Sequence, residues 1–138
     1  MLQDTILHQG YLNYWNNYVC PYSPLWILTE YIEENDIDIE NNIMFNNYNF
    51  GGYFIFNGYK VFMDGRNDVY LEEFGSPNIL PDYLDIANVT GDFLNLIEEY
   101  NIKYFALYTN DKLTHYLINN DLADILVQDN NYIFLQIK

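Results

Sequence analysis

The sequence has little positive charge. Its 138 residues include 20 acidic side chains against five basic ones, a formal net charge of −15. Proteins that bind nucleic-acid phosphates need clustered Lys and Arg, and a basic patch is also what holds a protein on anionic lipid headgroups. The composition therefore argues against both kinds of partner. A solvated acidic surface is the simplest interpretation of the charge.

Other features that define protein classes are also missing. Cys20 is the single cysteine, so no disulfide can form within the chain. Each of the two serines, Ser23 and Ser76, precedes a proline, and neither has the glycine context of a catalytic nucleophile. No run approaches the roughly 18 consecutive apolar residues of a membrane helix, and residues 1–4 lack the positive charge that begins a signal peptide. We expect the chain as written to be soluble and without an export signal.

Residues that could bind a metal ion or catalyse a reaction are dispersed. The two histidines and the cysteine are far apart and have no zinc-ligand spacing. A calcium loop needs oxygen ligands at alternate positions around a glycine. The segment of residues 64–68 lacks that spacing and has the cation Arg66 at its centre. The carboxylates of residues 64–73 could act as acid and base if a cleft raised one pKa, but a solvated helix face is the simpler interpretation. We predict no metal, no cofactor and no catalytic residue in this chain.

Apolar and aromatic side chains are abundant. Half of the residues are apolar and 19% are aromatic, which is too much for a disordered chain. A chain of 138 residues can bury a core without disulfides or metal. Pro21 and Pro24, so close together, mark a boundary. We predict an N-terminal extension over residues 1–20 and a single α/β domain over residues 21–138.

The hydrophobic periodicity predicts three helices. The first begins with a proline at its first helical position, and the second follows the cap residue Thr90. Between them, residues 67–89 are expected to be irregular, because Pro77 and Pro81 would interrupt a long helix. The predicted helices are residues 24–35, 90–100 and 111–119.

Short apolar runs predict the strands. Asn57-Gly58 is a strong hairpin-turn signal between the aromatic residues 53–56 and a strand at residues 60–63. The last two strands are predicted to form an antiparallel hairpin at one edge. Strands that alternate with helices indicate an α/β fold, with a small mixed sheet of about five to six strands and flanking helices. The predicted strands are residues 43–45, 53–56, 60–63, 103–108, 125–127 and 132–137.

Arg66 is the only arginine, and it lies between Asp64 and Asp68. A guanidinium carries five hydrogen-bond donors in a rigid fork and stays charged at physiological pH. Arg66 could pair with one of these carboxylates and fix a turn, or it could bind the carboxylate or phosphate of a ligand. Tyr48 and Tyr70 offer faces on which a sugar could stack, although aromatic rings also serve core packing. The sequence leaves both interpretations open.

Two motifs together resemble a known family. Residues 45–55 contain an aromatic-Gly-Gly-Tyr segment, and residues 60–70 contain a strand followed by Asp-Gly-Arg-Asn-Asp-Val-Tyr. Both are similar to the C-terminal extracytoplasmic domain of bacterial polytopic membrane proteins that are glycosyltransferase-like and related to protein mannosyltransferases. Residues 99–107 match the helix, Tyr-x-Ile and apolar strand that follow in that domain. The resemblance covers about residues 21–138.

The resemblance implies a function. In such proteins many membrane helices precede this domain, and the catalytic acidic residue lies in the membrane part, which this sequence does not contain. The chain would then be a soluble, non-catalytic accessory domain that lies outside the cytoplasm and is tethered to the membrane portion of a parent protein. Its ligand would be a glycan or a lipid-linked sugar acceptor. The expected binding residues, at strand ends where the two motifs meet, are Asn47, Tyr48, Asp64, Arg66, Asp68 and Tyr70.

A different class of function also agrees with the composition. The chain could be a stand-alone acidic binding or inhibitor protein that captures a basic partner. A net charge of −15 would steer such a partner and speed association. Binding of that kind should weaken steeply as ionic strength rises, whereas a glycan site should be nearly indifferent to salt.

Overall fold

The computed structural model describes residues 25–65 and 79–138, and in these ranges a four-stranded sheet carries helices on both faces. The strands are β1 (Ile43–Asn46), β2 (Ile102–Tyr108), β3 (Ala123–Gln128) and β4 (Tyr132–Ile137). The helices are α1 (Trp26–Glu34), α2 (Gly51–Phe56), α3 (Ile79–Asn88), α4 (Phe93–Glu99) and α5 (Lys112–Asn119), with a 3-10 helix (Tyr48–Phe50) immediately before α2. The predicted α/β class is confirmed.

The sheet is mixed and its strand order is β1-β2-β4-β3. β1 pairs with β2 in parallel, with Phe45 opposite Phe105. β2 pairs with β4 antiparallel, and β4 pairs with β3 in the closing antiparallel hairpin that the sequence predicts. β1 and β3 therefore form the two edges.

The sheet separates two apolar cores, because successive strand side chains point to opposite faces. On one face, Phe45, Phe105 and Leu135 pack against α3, α4 and α5. On the other face, Met44, Ala106 and Phe134 pack against α1, the 3-10 helix and α2. The architecture is thus a three-layer α/β/α arrangement in which both faces of the sheet are covered.

The three predicted helices are present, whereas Pro24, the predicted first helical residue of the first one, lies outside the described residues. The residue that follows α1 is its C-cap Asn35, whose backbone N–H donates to the Tyr31 carbonyl across 3.1 Å. α4 follows Thr90-Gly91-Asp92, but the prediction that Thr90 is its cap is wrong, because the N-cap residue is Asp92 and the Thr90 hydroxyl donates to Asp85 Oδ1 across 2.8 Å. α5 begins after Asp111. In α4 the side chains that enter the core are Phe93 and Ile97.

The aromatic segment before Asn57-Gly58 is a helix, so the predicted hairpin is wrong. In α2, Phe54 is completely buried whereas Phe56 is 51% exposed, although alternation in a strand would place both on one face. Asn57-Gly58 ends this helix instead of turning a hairpin. Gly58 has a φ of +83°, and the Tyr59 N–H donates to the Phe54 carbonyl across 2.9 Å, as in a Schellman motif.

The predicted strand at residues 60–63 is also absent, so the described residues contribute four strands to the sheet instead of the predicted five to six. This segment obtains hydrogen bonds from a side chain. The Phe62 N–H donates to Asn46 Oδ1 across 2.8 Å, and Asn46 Nδ2 donates to the Met63 carbonyl across 2.7 Å. A side chain at the end of β1 therefore replaces part of a strand ladder.

Part of the segment that was predicted to be irregular is helical. α3 includes Pro81 as its third residue. A proline in the first turn of a helix costs little, because the first four N–H groups have no intrahelical acceptor. Pro77 and the remainder of residues 66–78 lie outside the described residues.

No helix in residues 25–65 or 79–138 combines the length and apolar character that a membrane crossing requires. In the same ranges, no group of three or more His, Cys, Asp or Glu side chains is arranged to hold a metal ion.

Candidate binding edge of the sheet

The parallel strands β1 and β2 have their C-terminal ends on the same side of the sheet, and five residues lie there. We call this group the motif edge: Asn46, Asn47, Tyr48, Asp64 and Asp111. The Asn47 N–H donates to the Ala106 carbonyl across 2.8 Å, so the backbone remains attached to β2 for one residue beyond β1. In open α/β sheets, ligands bind outside the carboxyl ends of strands, which makes this edge the first place to examine.

Asn46 holds the two sequence motifs together. Its side chain is completely buried. Oδ1 accepts from the Phe62 and Met63 N–H groups at 2.8 and 3.3 Å, and Nδ2 donates to the Met63 carbonyl at 2.7 Å. A buried amide that satisfies three backbone groups of another segment fixes the position of that segment.

Gly51 allows the second motif to pass close to the first. A Cβ atom on Gly51 would lie 2.5 Å from Asp64 Cβ and 2.5 Å from the Met63 carbonyl oxygen. Gly51 has ordinary helical dihedral angles, so the requirement for glycine here is steric. The neighbouring Gly52 has open space around its Cβ position. Only the first glycine of the pair is therefore dictated by packing.

Asn47 connects β1 to the beginning of α5. Its Oδ1 accepts from the Asn49 N–H across 3.0 Å, which caps the 3-10 helix, and its Nδ2 donates to Asp111 Oδ2 across 2.9 Å. The same Asp111 oxygen accepts from the Tyr108 N–H across 3.0 Å. The Asn47 side chain is thus held by two partners and positions the loop that follows β2.

Tyr48 is attached through its backbone. Its N–H donates to the buried Tyr83 hydroxyl across 2.7 Å. Burial raises the pKa of Tyr83 to about 12, and the nearby Asp111 carboxylate acts in the same direction. Tyr83 also stacks on Phe45 with ring centres 5.0 Å apart. Tyr83 therefore connects the motif edge to the apolar core between the sheet and α3.

Three of the six predicted binding residues come together at this edge. Asn47 and Tyr48 are half-buried, whereas Asp64 is only 2% exposed and has little surface to offer a ligand. Arg66, Asp68 and Tyr70 lie outside the described residues, so their role stays a prediction.

Sequence reasoning missed two members of the motif edge. Asn46 lies at the end of an apolar strand, and its complete burial, which only the structure shows, identifies it as the link. Asp111 precedes a helix, where an acidic residue is ordinarily explained as a cap. Its carboxylate makes no bond to the helix and instead joins Asn47 to Tyr108.

The surface near the motif edge contains a cavity of about 630 Å³ between two loops. We call it the loop pocket, and residues 108–111 and 130–132 line it. A larger cavity of about 840 Å³ lies elsewhere, between the end of α1 and residues 57–60. Its lining combines isoleucines with exposed carboxylates. Asp111 belongs to both the motif edge and the loop pocket.

Stability should fall in alkaline solution, because three tyrosines have a pKa raised to about 12, with burial as the largest cause: Tyr59, Tyr83 and Tyr100. Tyr100 in addition donates to Asp82 Oδ2 across 2.5 Å. Unfolded tyrosine loses its proton near pH 10, so the unfolded chain binds fewer protons than the folded chain between about pH 10 and 12. The contribution of these three tyrosines to the free energy of unfolding is fully present below about pH 10 and is lost as pH rises through this window.

We expect the urea midpoint to decrease over that window, and Tyr83→Phe to reduce the decrease. The slope against pH is the readout, since Tyr83→Phe also removes the acceptor of the Tyr48 N–H and lowers stability at every pH. An equal slope in both proteins would contradict this prediction.

Comparisons of the chain with protein-family models, with curated proteins and with solved structures give no match.

Proposed function

We propose that this chain is a non-catalytic accessory domain of a membrane glycosyltransferase-like protein, and that its motif edge contacts a glycan or a lipid-linked sugar acceptor. In this proposal the domain lies outside the cytoplasm and the parent protein supplies the membrane portion and the catalytic residue.

The close approach of Gly51 to Met63 and Asp64 carries this proposal. It gives a physical reason for the first glycine of the double-glycine motif to occur together with the Asp-Gly-Arg motif, because the second motif can pass Gly51 only where a side chain is missing. Asn46 adds three hydrogen bonds between the same segments. The two motifs on which the resemblance depends therefore pack against each other at the end of β1. In open α/β sheets, ligands bind outside such strand ends.

Arg66 provides the test, because it directly follows Gly65 in the second motif. We expect Arg66→Met to lose affinity for a short-chain prenyl phosphate in calorimetric titration, while its melting temperature stays within a few degrees of wild type. A guanidinium that binds phosphate through a fork cannot be replaced by a thioether.

The opposite result would assign Arg66 to structure. If Arg66 pairs with a buried carboxylate, Arg66→Met should cost about 3–5 kcal/mol of stability and leave titration with the prenyl phosphate unchanged.

The membrane tether has its own test, which is the reading frame upstream of Met1. A frame that continues into several membrane helices supports the proposal, and a stop codon directly upstream contradicts it.

One observation favours capture of a basic partner as a second candidate function. The following carboxylate residues of α1 and the loop after it are all exposed: Glu30, Glu33, Glu34, Asp36, Asp38 and Glu40. Lys60 is the only cationic side chain that lines the adjacent cavity. A lysine-rich peptide should then bind at about 0.01 M salt and dissociate at about 0.15 M, where the screening length has fallen from about 30 to 8 Å. Binding that is indifferent to salt would contradict this function.

A further inference from the structure

We propose that the loop pocket is a subsite for a neutral saccharide. This inference rests on the proposed function, since it names the class of ligand and a second place of contact beside the motif edge. The cavity of about 630 Å³ lies within the roughly 300–1,000 Å³ typical of small-molecule sites. Asp111 connects it to Asn47, so one ligand could contact both.

The walls of the pocket are already formed. The loop after β2 and the loop before β4 are joined by Thr109, whose N–H donates to the Asn131 carbonyl across 2.9 Å and whose hydroxyl donates to the Asn130 carbonyl across 3.1 Å. Asp129 Oδ1 accepts the N–H groups of Asn131 and Tyr132 at 2.8 Å each. A pocket held by these four hydrogen bonds requires little ordering when a ligand enters.

The polar groups that face solvent here are not used by the fold. Asn110, Asn130 and Asn131 are exposed, and their side-chain amides make no hydrogen bond with any described residue. Each amide offers one acceptor and two donors. Asp111 binds Asn47 and Tyr108 through Oδ2 alone, which leaves Oδ1 to accept from a ligand. Neighbouring hydroxyls of a sugar ring present donors and acceptors together, and this set of side chains matches them.

Aromatic rings form the apolar part of the pocket. Tyr108 and Tyr132 both line it, with ring centres 5.4 Å apart, and Phe50 packs edge-on against Tyr108 at 4.7 Å from below. Both tyrosines are half-buried. The C–H groups of a sugar ring can lie against such an aromatic face. Amides beside tyrosine rings suit a ligand that is polar at its edge and apolar on its face.

The charge of the pocket selects a neutral ligand. Asp111 is its single charged lining residue, and no cationic side chain lines it. A phosphate or a sugar acid would meet this carboxylate and the acidic field of a chain with net charge −15. The pocket therefore differs from Arg66, which suits an anion.

The test is a titration of the whole isotope-labelled chain with a neutral oligomannoside, followed through its backbone amide resonances. We expect shifts at residues 108–111 and 130–132. The double variant Asn130→Ala/Asn131→Ala should lose affinity about tenfold or more, as expected when several hydrogen bonds are removed. Neither asparagine has a positive φ, so alanine fits their backbone. The matched control is Asn95→Ala, an exposed asparagine of α4 that should bind like wild type.

The other outcomes separate the two proposals. Shifts confined to Asn47, Tyr48 and Gly65, with equal affinity in the double variant, would overturn the loop pocket and leave the proposed glycan contact in place. Shifts at the loop pocket with inorganic phosphate as strong as with the sugar would overturn the selection of a neutral ligand. No shift with the oligomannoside would overturn the loop pocket, while the titration of Arg66→Met with prenyl phosphate would still decide the proposed function.

Discussion

Gly51→Ala is expected to destabilise the protein by about 3 kcal/mol or more, a decrease in melting temperature of roughly 10 °C. The added Cβ would lie 2.5 Å from the Met63 carbonyl oxygen and 2.6 Å from Asp64 Cα, which are backbone atoms that cannot rotate away. The contact can be relieved only if α2 or residues 63–64 move, and that movement would also break the hydrogen bonds to Asn46. Thermal unfolding followed by circular dichroism measures the effect.

Gly52→Ala is the matched control for this substitution. It adds the same methyl group to the same helix, one residue later, in open space. Alanine is favoured over glycine within a helix, so Gly52→Ala should raise stability by about 0.5–1 kcal/mol. Opposite signs for the two variants are the expected result. Equal stability of Gly51→Ala and wild type would mean that residues 63–64 do not pass α2 as described.

Asn46→Ala is expected to cost about 3–5 kcal/mol. The substitution leaves the N–H groups of Phe62 and Met63 and the Met63 carbonyl without their side-chain partner, and each buried group left unsatisfied costs about 1–3 kcal/mol. A small cavity in a completely buried position adds to this cost. Urea unfolding gives the free energy, and faster hydrogen exchange at Phe62 and Met63 locates the damage.

Asn49→Ala is the corresponding control, because Asn49 is exposed and its side chain makes no hydrogen bond with any described residue. It should remain within about 0.5 kcal/mol of wild type. If Asn46→Ala loses no more stability than Asn49→Ala, the second motif is held by contacts other than the Asn46 amide. The double variant Gly51→Ala/Asn46→Ala should lose less than the sum, since both act on the same segment.

The part of the fold that sequence periodicity predicts well is the part with local signals. β2, α5, β3 and β4 follow one another over residues 102–138, each bounded by turn or cap residues, and they were predicted within a few residues of their bounds. The N-terminal half was harder, because Asn57-Gly58 has two uses. The same dipeptide suits a hairpin turn and the end of a helix, and tertiary burial of Phe50 and Phe54 decides for the helix.

The sequence motifs indicated where the candidate site lies, at the end of β1, but they identified only some of its residues. Residues of two motifs at a strand end indicated the edge where Asn47, Tyr48 and Asp64 meet. The sequence could not identify Asn46 as the link between the motifs, because side-chain hydrogen bonds to distant backbone leave no periodic pattern. Asp111 was hidden for a related reason, since a helix cap and a bridge to another strand have the same sequence signature.

The strand order has a consequence for how the chain folds. β2, β3 and β4 pair within one contiguous stretch of sequence, whereas β1 must find β2 across the intervening residues 47–101. Closing a long loop costs more entropy than closing short ones, so the C-terminal stretch should condense first and β1 should dock late. The motif edge joins Asn47 to Ala106 and Asp111, so it can exist only after that docking step. Ligand competence would then arise last, as a marker of completed folding.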